Sequence, residues 1–271
     1  MSESMNPSIG IIGGSGLYSL LENAEEVEVE TRYGKPSDKI SVGTLAGASV
    51  AFLPRHGKKH TIPPHKVPFR ANIEALHKLG VKRIIATNAV GSLKPDYNPG
   101  EVAFFDQFVN MTYGRDETFF DESEVVHVSS AQPYCTQMRS IAYGCAKEAG
   151  ITAHESGTVV VINGPRFSTK AESRTFSSQG HHMINMTQYP EIMLAVERQM
   201  CYLGIALITD YDSGLDGRPD IKPVTNAEVL KIFGENVGKA KRIITDVVKR
   251  LPGERTCKCA NSLEGALMTQ K

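Results

Sequence analysis

Apolar residues along this chain follow two alternating rhythms. Short runs rich in Val and Ile, namely Ile9–Ile12, Val50–Leu53, Arg83–Ala86, Val102–Phe105, Thr158–Ile162, Met183–Ile184 and Ile205–Thr209, read as buried strands. Between them lie segments with helical spacing: Phe69–Leu79, Met138–Ala149, Lys170–Ser178, Glu191–Met200 and a long one over about Asn226–Leu251. In the last, Val229, Leu230, Ile232, Phe233, Val237, Ala240, Ile243, Ile244, Val247 and Val248 share one face, and Thr225 is placed to cap the start. Strands interleaved with helices predict an α/β fold, a central mixed or largely parallel sheet flanked by helices. No repeat, low-complexity tract or linker interrupts this pattern, so a single domain is expected over residues 8–251, followed by a tail over 252–271.

The residues at the exit of each apolar run narrow the picture. Ile9–Ile12 leads into Gly13-Gly14-Ser15-Gly16, Val50–Leu53 into Pro54-Arg55-His56-Gly57, and Arg83–Ala86 into Thr87-Asn88-Ala89-Val90-Gly91-Ser92. Thr158–Ile162 ends in Asn163-Gly164-Pro165-Arg166-Phe167-Ser168, Met183–Ile184 in Asn185-Met186-Thr187, and Ile205–Thr209 in Asp210-Tyr211-Asp212. Ligands of open α/β sheets bind in the crevice beyond the strand ends, so these exits predict one shared pocket.

Composition removes several classes of function. Of 271 residues, 30 are Lys or Arg and 30 Asp or Glu, a net charge of zero that argues against binding nucleic acid or anionic membrane through bulk charge. With 41% hydrophobic residues the chain has enough for a sizeable core. No apolar run approaches the roughly 20 residues that span a bilayer, and Met1–Ser8 is polar, so a cytoplasmic location is expected. The five cysteines, Cys135, Cys145, Cys201, Cys257 and Cys259, are an odd number at spacings that fit neither a secreted disulfide scaffold nor a zinc ribbon.

The strand exits carry the candidate chemistry. Gly13-Gly14-Ser15-Gly16 suits an anion cradle and a plain tight turn equally well; it lacks the third glycine of a dinucleotide fingerprint and the lysine of a P-loop. Arg55 beside His56 is a good donor pair for a phosphate. His60 and His65 share that loop, but with Pro63 and Pro64 between them they lack the geometry of a metal site, and no metal is expected. Asp210 and Asp212 alternate at a strand end, so both can face one pocket. If desolvated together, one should have a raised pKa and hold a proton near neutral pH.

Six ordered motifs, Gly13–Gly16, Pro54–Gly57, Asn88–Ser92, Gly164–Ser168 with Ala171-Glu172-Ser173, Asn185–Thr187 and Thr209–Asp212, closely resemble the trimeric purine nucleoside phosphorylases, and within them the 5′-methylthioadenosine phosphorylase branch. The resemblance spans about Ile9–Val248. It implies a phosphorylase/hydrolase-like fold and cleavage of a purine nucleoside by inorganic phosphate as co-substrate, with no metal or organic cofactor. It also implies phosphate contacts at Ser15, Arg55, His56, Asn88, Ala89 and Thr187, ribose near Asn185 and Met186, and purine near Phe167 and Ser168, with Asp210 and Asp212 on its imidazole edge. A 5′-methylthio pocket would come from Val229 and Leu230 plus His127 of an adjacent chain, hence a homo-oligomer, a trimer or a hexamer built as two trimers. Disulfides Cys257–Cys259 and Cys135–Cys201 are implied by the same resemblance to hyperthermophilic archaeal relatives.

Two departures qualify the match. Asn88 stands where relatives often carry Thr, and Ser213-Gly214-Leu215-Asp216-Gly217 is unlike the usual segment. An aspartate at 210 suits adenine, because a carboxyl accepts from a 6-amino group where an amide would donate to a 6-oxo group. The competing readings are a purine nucleoside or methylthioinosine phosphorylase acting on 6-oxopurines, a nucleoside hydrolase that would leave Arg55-His56 without purpose, and a non-enzymatic purine-binding scaffold.

Overall fold

The computed structural model describes residues 6–215, 221 and 225–268. Its strands are β1 (Ile9–Gly13), β2 (Glu22–Val27), β3 (Ile40–Leu45), β4 (Ala48–Pro54), β5 (Arg83–Ser92), β6 (Val102–Phe104), β7 (Gln107–Met111), β8 (Ala153–His154), β9 (Thr158–Ile162), β10 (Met183–Asn185) and β11 (Cys201–Asp210). All join one mixed sheet. The helices are α1 (Phe69–Lys78), α2 (Thr136–Glu148), α3 (Lys170–Ser178), α4 (Gln188–Glu197) and α5 (Asn226–Arg250).

Strand β5 organises the sheet. Along one edge β11 runs parallel to it from Cys201 beside Arg83 to Asp210 beside Gly91. On the other edge β1 pairs with Arg83–Ala86, whereas β10 pairs, antiparallel, only with Gly91 and Ser92. The stretch Thr87–Val90 is therefore left without a strand on that side. Because β10 is antiparallel, its continuation into Met186 and Thr187 runs back beside this stretch. A gap in the pairing pattern is thus turned into a pocket wall carrying backbone groups that need partners.

Successive side chains of the central strands face opposite layers. Ile12, Leu53, Ile84 and Tyr202 pack in the layer that holds α1 and α4; Ile11, Phe52, Ile85 and Leu203 face α2 and α5, whose Ile243, Ile244 and Val247 are fully buried. Each such side chain contributes roughly 1.5–3 kcal/mol by leaving water.

All five expected helices are present within three residues of their expected bounds. Helix α2 starts two residues before the expected Met138, and the larger displacement has a local cause: α4 opens at Gln188, but Tyr189 is extended (φ −109°, ψ 135°) because Pro190 follows, so regular helix begins at Pro190, next to the expected Glu191. Val229 N–H donates to Thr225 O, which puts Thr225 at the start of α5 as expected. Strands β2, β3, β7 and β8 lie outside the apolar runs that mark the others; β2, Glu-Asn-Ala-Glu-Glu-Val, is exposed along almost its whole length at the sheet edge, so it carries no apolar signal. Among the described residues no helix is long and apolar enough to cross a membrane.

Candidate active site

The exits of β1, β4, β5, β10 and β11, together with the loop after β9 and the first turns of α5, enclose a cavity of about 530 Å3. This is the size expected of a small-molecule site. Close approach of β5 to β11 here requires a glycine: a Cβ on Gly91 would lie 2.9 Å from Asp210 Oδ1 and 3.1 Å from Ile184. Gly164, at φ +66°, plays the same part for Met186, whose sulfur would sit 2.5 Å from an added Cβ.

One end of the cavity is built around Arg55, which is 3% exposed. Its Nε and Nη2 donate to the two carboxylate oxygens of Glu191 at 2.7 and 2.8 Å, and Nη1 donates to Thr87 O at 2.9 Å. Desolvation works against the Arg55 charge, and the Glu191 carboxylate more than offsets it, so the guanidinium pKa is raised. Three of its five N–H groups are spent on this cradle, leaving one on each terminal nitrogen for a ligand. Tyr202 donates to Glu191 Oε1 at 2.6 Å and accepts from Gln188 Nε2 at 3.0 Å. Gln188 also donates to Asn88 Oδ1 at 2.7 Å and accepts from the Tyr134 hydroxyl. Asn88 Nδ2 donates to Thr187 Oγ1 at 2.9 Å, so the Thr187 hydroxyl proton is free to point elsewhere. Asn88, expected as a ligand donor, is thus first a positioning residue for Thr187.

His56 Nδ1 lies 2.8 Å from the carbonyl of Ile62, which can only accept, so Nδ1 carries the proton. Neutral His56 therefore offers Nε2 as an acceptor, not the donor that the Arg-His pair suggested. Desolvation, reinforced by the Arg55 charge, pushes its pKa down to about 4 from 6.5. As pH falls below 6.5 the unfolded chain takes up a proton that folded His56 refuses until about pH 4, so the fold loses stability across that window. Between pH 7 and 4.5 the loss at this residue should be roughly 2–3 kcal/mol. Urea unfolding of the parent and His56→Gln at both pH values measures it; equal losses in the two proteins would remove the assignment.

The other end of the cavity holds the two acids. Thr209 Oγ1 donates to Asp210 Oδ2 at 2.6 Å, and the Asp212 backbone N–H donates to Asp210 Oδ1 at 2.7 Å. Asp212 is 3% exposed and receives the Ser168 hydroxyl on Oδ1 at 3.0 Å, while its Oδ2 is buried with no hydrogen-bond partner of good geometry. Desolvation raises the Asp212 pKa, against smaller opposing influences from the Ser173 and Ser168 hydroxyls. Burial is thus a physical source for a raised pKa at Asp212. A bulge between Ile208 and Asp210 and a left-handed Asp212 (φ 49°) re-aim this end of β11.

Between the ends stand Asn185, Met186, Phe167, Val229, Leu230 and Phe233. The buried Asn185 Nδ2 has no partner and is a donor available to a ligand. Arg115, outside the expected set, grips the loop by donating to the carbonyls of Asn163 (3.0 Å), Met186 (2.9 Å) and Tyr189. The loop holding Phe167 is held by the capping box of α3, Thr169 with Glu172, and by the two-pronged contact of Arg166 with Glu172 at 2.8 Å.

Of the expected residues, Arg55, His56, Asn88, Ala89, Phe167, Asn185, Met186, Thr187, Asp210, Asp212, Val229 and Leu230 line the cavity. Ser168 is not on its wall; it acts on Asp212 instead, because its hydroxyl is turned inward. His127 is exposed and away from the cavity of its own chain. The Ser15 side chain, and Asp216 and Gly217, lie outside the described residues. Glu191, Gln188, Tyr202 and Arg115 carry no motif that marks them as part of a site. The one available signal was Glu191, an acid inside the apolar stretch Pro190–Val196.

Residues 8–249 match the Phosphorylase superfamily profile. S-methyl-5′-thioadenosine phosphorylase of Thermofilum pendens is 51% identical over 262 residues, covering 96% of this chain and 98% of that protein. A methylthioadenosine phosphorylase from an antarctic soil metagenomic library superposes with a TM-score of 0.91 at 38% identity, over 99% of this chain and 94% of that one. A variant of the adenosine/methylthioadenosine phosphorylase of Schistosoma mansoni, solved in complex with methylthioadenosine, gives 0.88 at 34% identity, over 96% of each chain. With a profile spanning nearly its whole length and relatives alike in both sequence and fold, the chain belongs to the phosphorylase superfamily.

Proposed function

We propose that this chain catalyses the phosphorolysis of 5′-methylthioadenosine to adenine and 5-methylthioribose 1-phosphate, a step of purine and methionine salvage. The observation that carries the reading is one cavity with a buried, carboxylate-held guanidinium at one end and a partly desolvated acid pair at the other. The names of the relatives point the same way.

Inorganic phosphate is the co-substrate, with no metal or organic cofactor. It takes the free N–H groups of Arg55, the Thr187 hydroxyl and backbone donors near Ala89, with Ser15 added from the family resemblance. Asn88 holds Thr187 in place. A monoprotonated phosphate gives its own P–OH hydrogen to His56 Nε2, the only match for a neutral ring whose Nδ1–H is engaged. A phosphate oxygen then bonds to C1′ as the C1′–N9 bond breaks and its electron pair passes into the purine. The two acids hold, as a unit, the proton that N7 needs. Asp210 meets N7 and the 6-amino group, and the Asp212 main chain keeps it oriented. Met186 and Asn185 flank the ribose and Phe167 the base, with Ser168 acting through Asp212. Val229, Leu230 and Phe233 make an apolar pocket for the methylthio group, and their half-exposed rim suits completion by His127 of an adjacent chain. On this reading the working unit is a trimer or a pair of trimers of one domain over residues 8–251.

Steady-state rates with methylthioadenosine, adenosine and inosine, each with and without phosphate, test the proposal. Methylthioadenosine should lead, inosine should trail by at least roughly 100-fold, as when a buried polar group is left unpaired, and omission of phosphate should abolish turnover. Preference for inosine would sink the aminopurine assignment, and phosphate-independent cleavage would make the chain a hydrolase.

A further inference from the structure

None of the five cysteines lines the cavity, and the fold gathers four of them at the far end of the sheet. Cys201 opens β11, whose last residue is Asp210; nine steps of strand put roughly 30 Å between them. Cys135 stands at the N-terminus of α2, its backbone N–H donating to Tyr202 O beside Cys201. Cys257 and Cys259 come from the tail, where Lys258–Asn261 forms a single 3-10 turn. Three contacts press that turn onto the body: Arg255 Nη1 on Gln199 O, Gln199 Nε2 on Ala260 O and the Ser262 hydroxyl on Val196 O, each 2.6 Å.

The four sulfurs all lie within 4.8 Å of one another, with Cys201 and Cys257 at 3.3 Å, and all are free thiols. Four thiolates at about 2.3 Å from one ion have edges of roughly 3.8 Å, so this arrangement needs shifts of no more than about 1 Å to close on a metal. We propose that Cys135, Cys201, Cys257 and Cys259 form a closed, four-thiolate structural site for zinc. The spacing of the tail pair serves it: Cys257 and Cys259, either side of Lys258, reach one point from one turn, while β11 and α2 supply a rigid base.

Cys135 is placed to accept hydrogen bonds from Cys201, Cys259 and the Met138 amide in the first turn of α2, so the four sulfurs share one polar focus. Zinc binding sends the thiol protons to solvent, so affinity rises with pH. The site has a structural purpose independent of any reaction. Beyond the 3-10 turn the tail returns to pair with the segment ahead of α2: His127 N–H donates to Ala266 O and Met268 N–H to Val125 O. A metal on Cys257 and Cys259 fixes the root of that tail.

Elemental analysis of the full chain, purified from zinc-supplemented medium without chelator or reductant, tests the proposal, together with thiol titration in denaturant plus chelator. About one zinc per chain and five reactive thiols are expected, and cobalt(II) in its place should show the thiolate charge-transfer and intense visible bands of a tetrahedral site. One reactive thiol and no zinc would mean two disulfides and overturn the proposal. Five thiols with no uptake of zinc or cobalt would overturn it too. Cys257→Ser/Cys259→Ser should drop zinc below about a tenth of an equivalent, while Cys145→Ser keeps about one; zinc retained in the double variant would also exclude the site. The measurement on the parent protein decides the matter even if a variant fails to fold, and it needs no turnover, so it stands or falls apart from the phosphorolysis reading.

Discussion

Glu191→Gln is expected to raise the KM for phosphate by roughly 10–100-fold, 1.4–2.8 kcal/mol of binding, and to lower the stability of the fold by about 3 kcal/mol. Glu191 is fully buried and does not itself line the cavity; it acts on the phosphate end chiefly through Arg55, and also through Tyr202, which leads by way of Gln188 and Asn88 to Thr187. A glutamine of the same shape removes the charge that holds the guanidinium and turns one acceptor into an N–H that faces Arg55 and Tyr202 head-on. The guanidinium is then buried without a counter-charge, the costliest outcome for an ion pair. Methylthioadenosine binding should change less than phosphate binding, because the acid pair sits at the other end. Paired replacement, Glu191→Leu with Arg55→Met, separates the two effects: stability should return to within about 1–2 kcal/mol of the parent while phosphate affinity stays lost. Recovery of phosphate affinity in that double variant would show that the anion is held elsewhere.

The second large effect is at the opposite end. Asp210→Asn should reduce kcat/KM for methylthioadenosine by roughly 100–1000-fold and for inosine by less than about tenfold. Both Asp210 oxygens already have protein donors, Thr209 Oγ1 and the Asp212 amide. The Asp212 amide can only donate, so the asparagine oxygen stays there; its nitrogen faces Thr209, whose hydroxyl can turn its proton to Val90 O at 3.2 Å and accept one N–H, leaving the other for the cavity. There it repels a 6-amino group and suits a 6-oxo group. Comparison of the two nucleosides under single-turnover conditions reads this directly. Equal losses on both would remove Asp210 from base selection and leave it a general electrostatic role.

Much of this was legible in the chain, and the rest was hidden for identifiable reasons. The five helices and the buried strands announce themselves because each has an apolar face to bury; β2 does not, because five of its six residues are exposed and it pairs with one strand only. The strand exits were legible as a pocket because small and charged residues come directly after apolar runs there. No spacing rule shows how the polar groups are shared out. That His56 is an acceptor depends on a carbonyl six residues away in a turn, Ile62. Asn88 looks like a ligand donor until Thr187, 99 positions on, is seen to receive its N–H. Glu191 lies in plain sight as the acid of an apolar segment, and only the tertiary fold brings it Tyr202 from β11 and Arg55 from the end of β4 as partners.

The left-handed backbone at Asp212 bears on how any substitution there should be interpreted. Aspartate, asparagine and glycine enter that region at little cost, whereas alanine and β-branched residues are strained in it. An alanine at 212 would therefore report two things at once, a missing carboxyl and a main chain pulled off the bulge that aims Asp210. Asparagine leaves the main chain alone and isolates the charge. The same backbone makes asparagine the least disturbing replacement at 212, so loss of the carboxylate there has a route that leaves the aim of Asp210 intact.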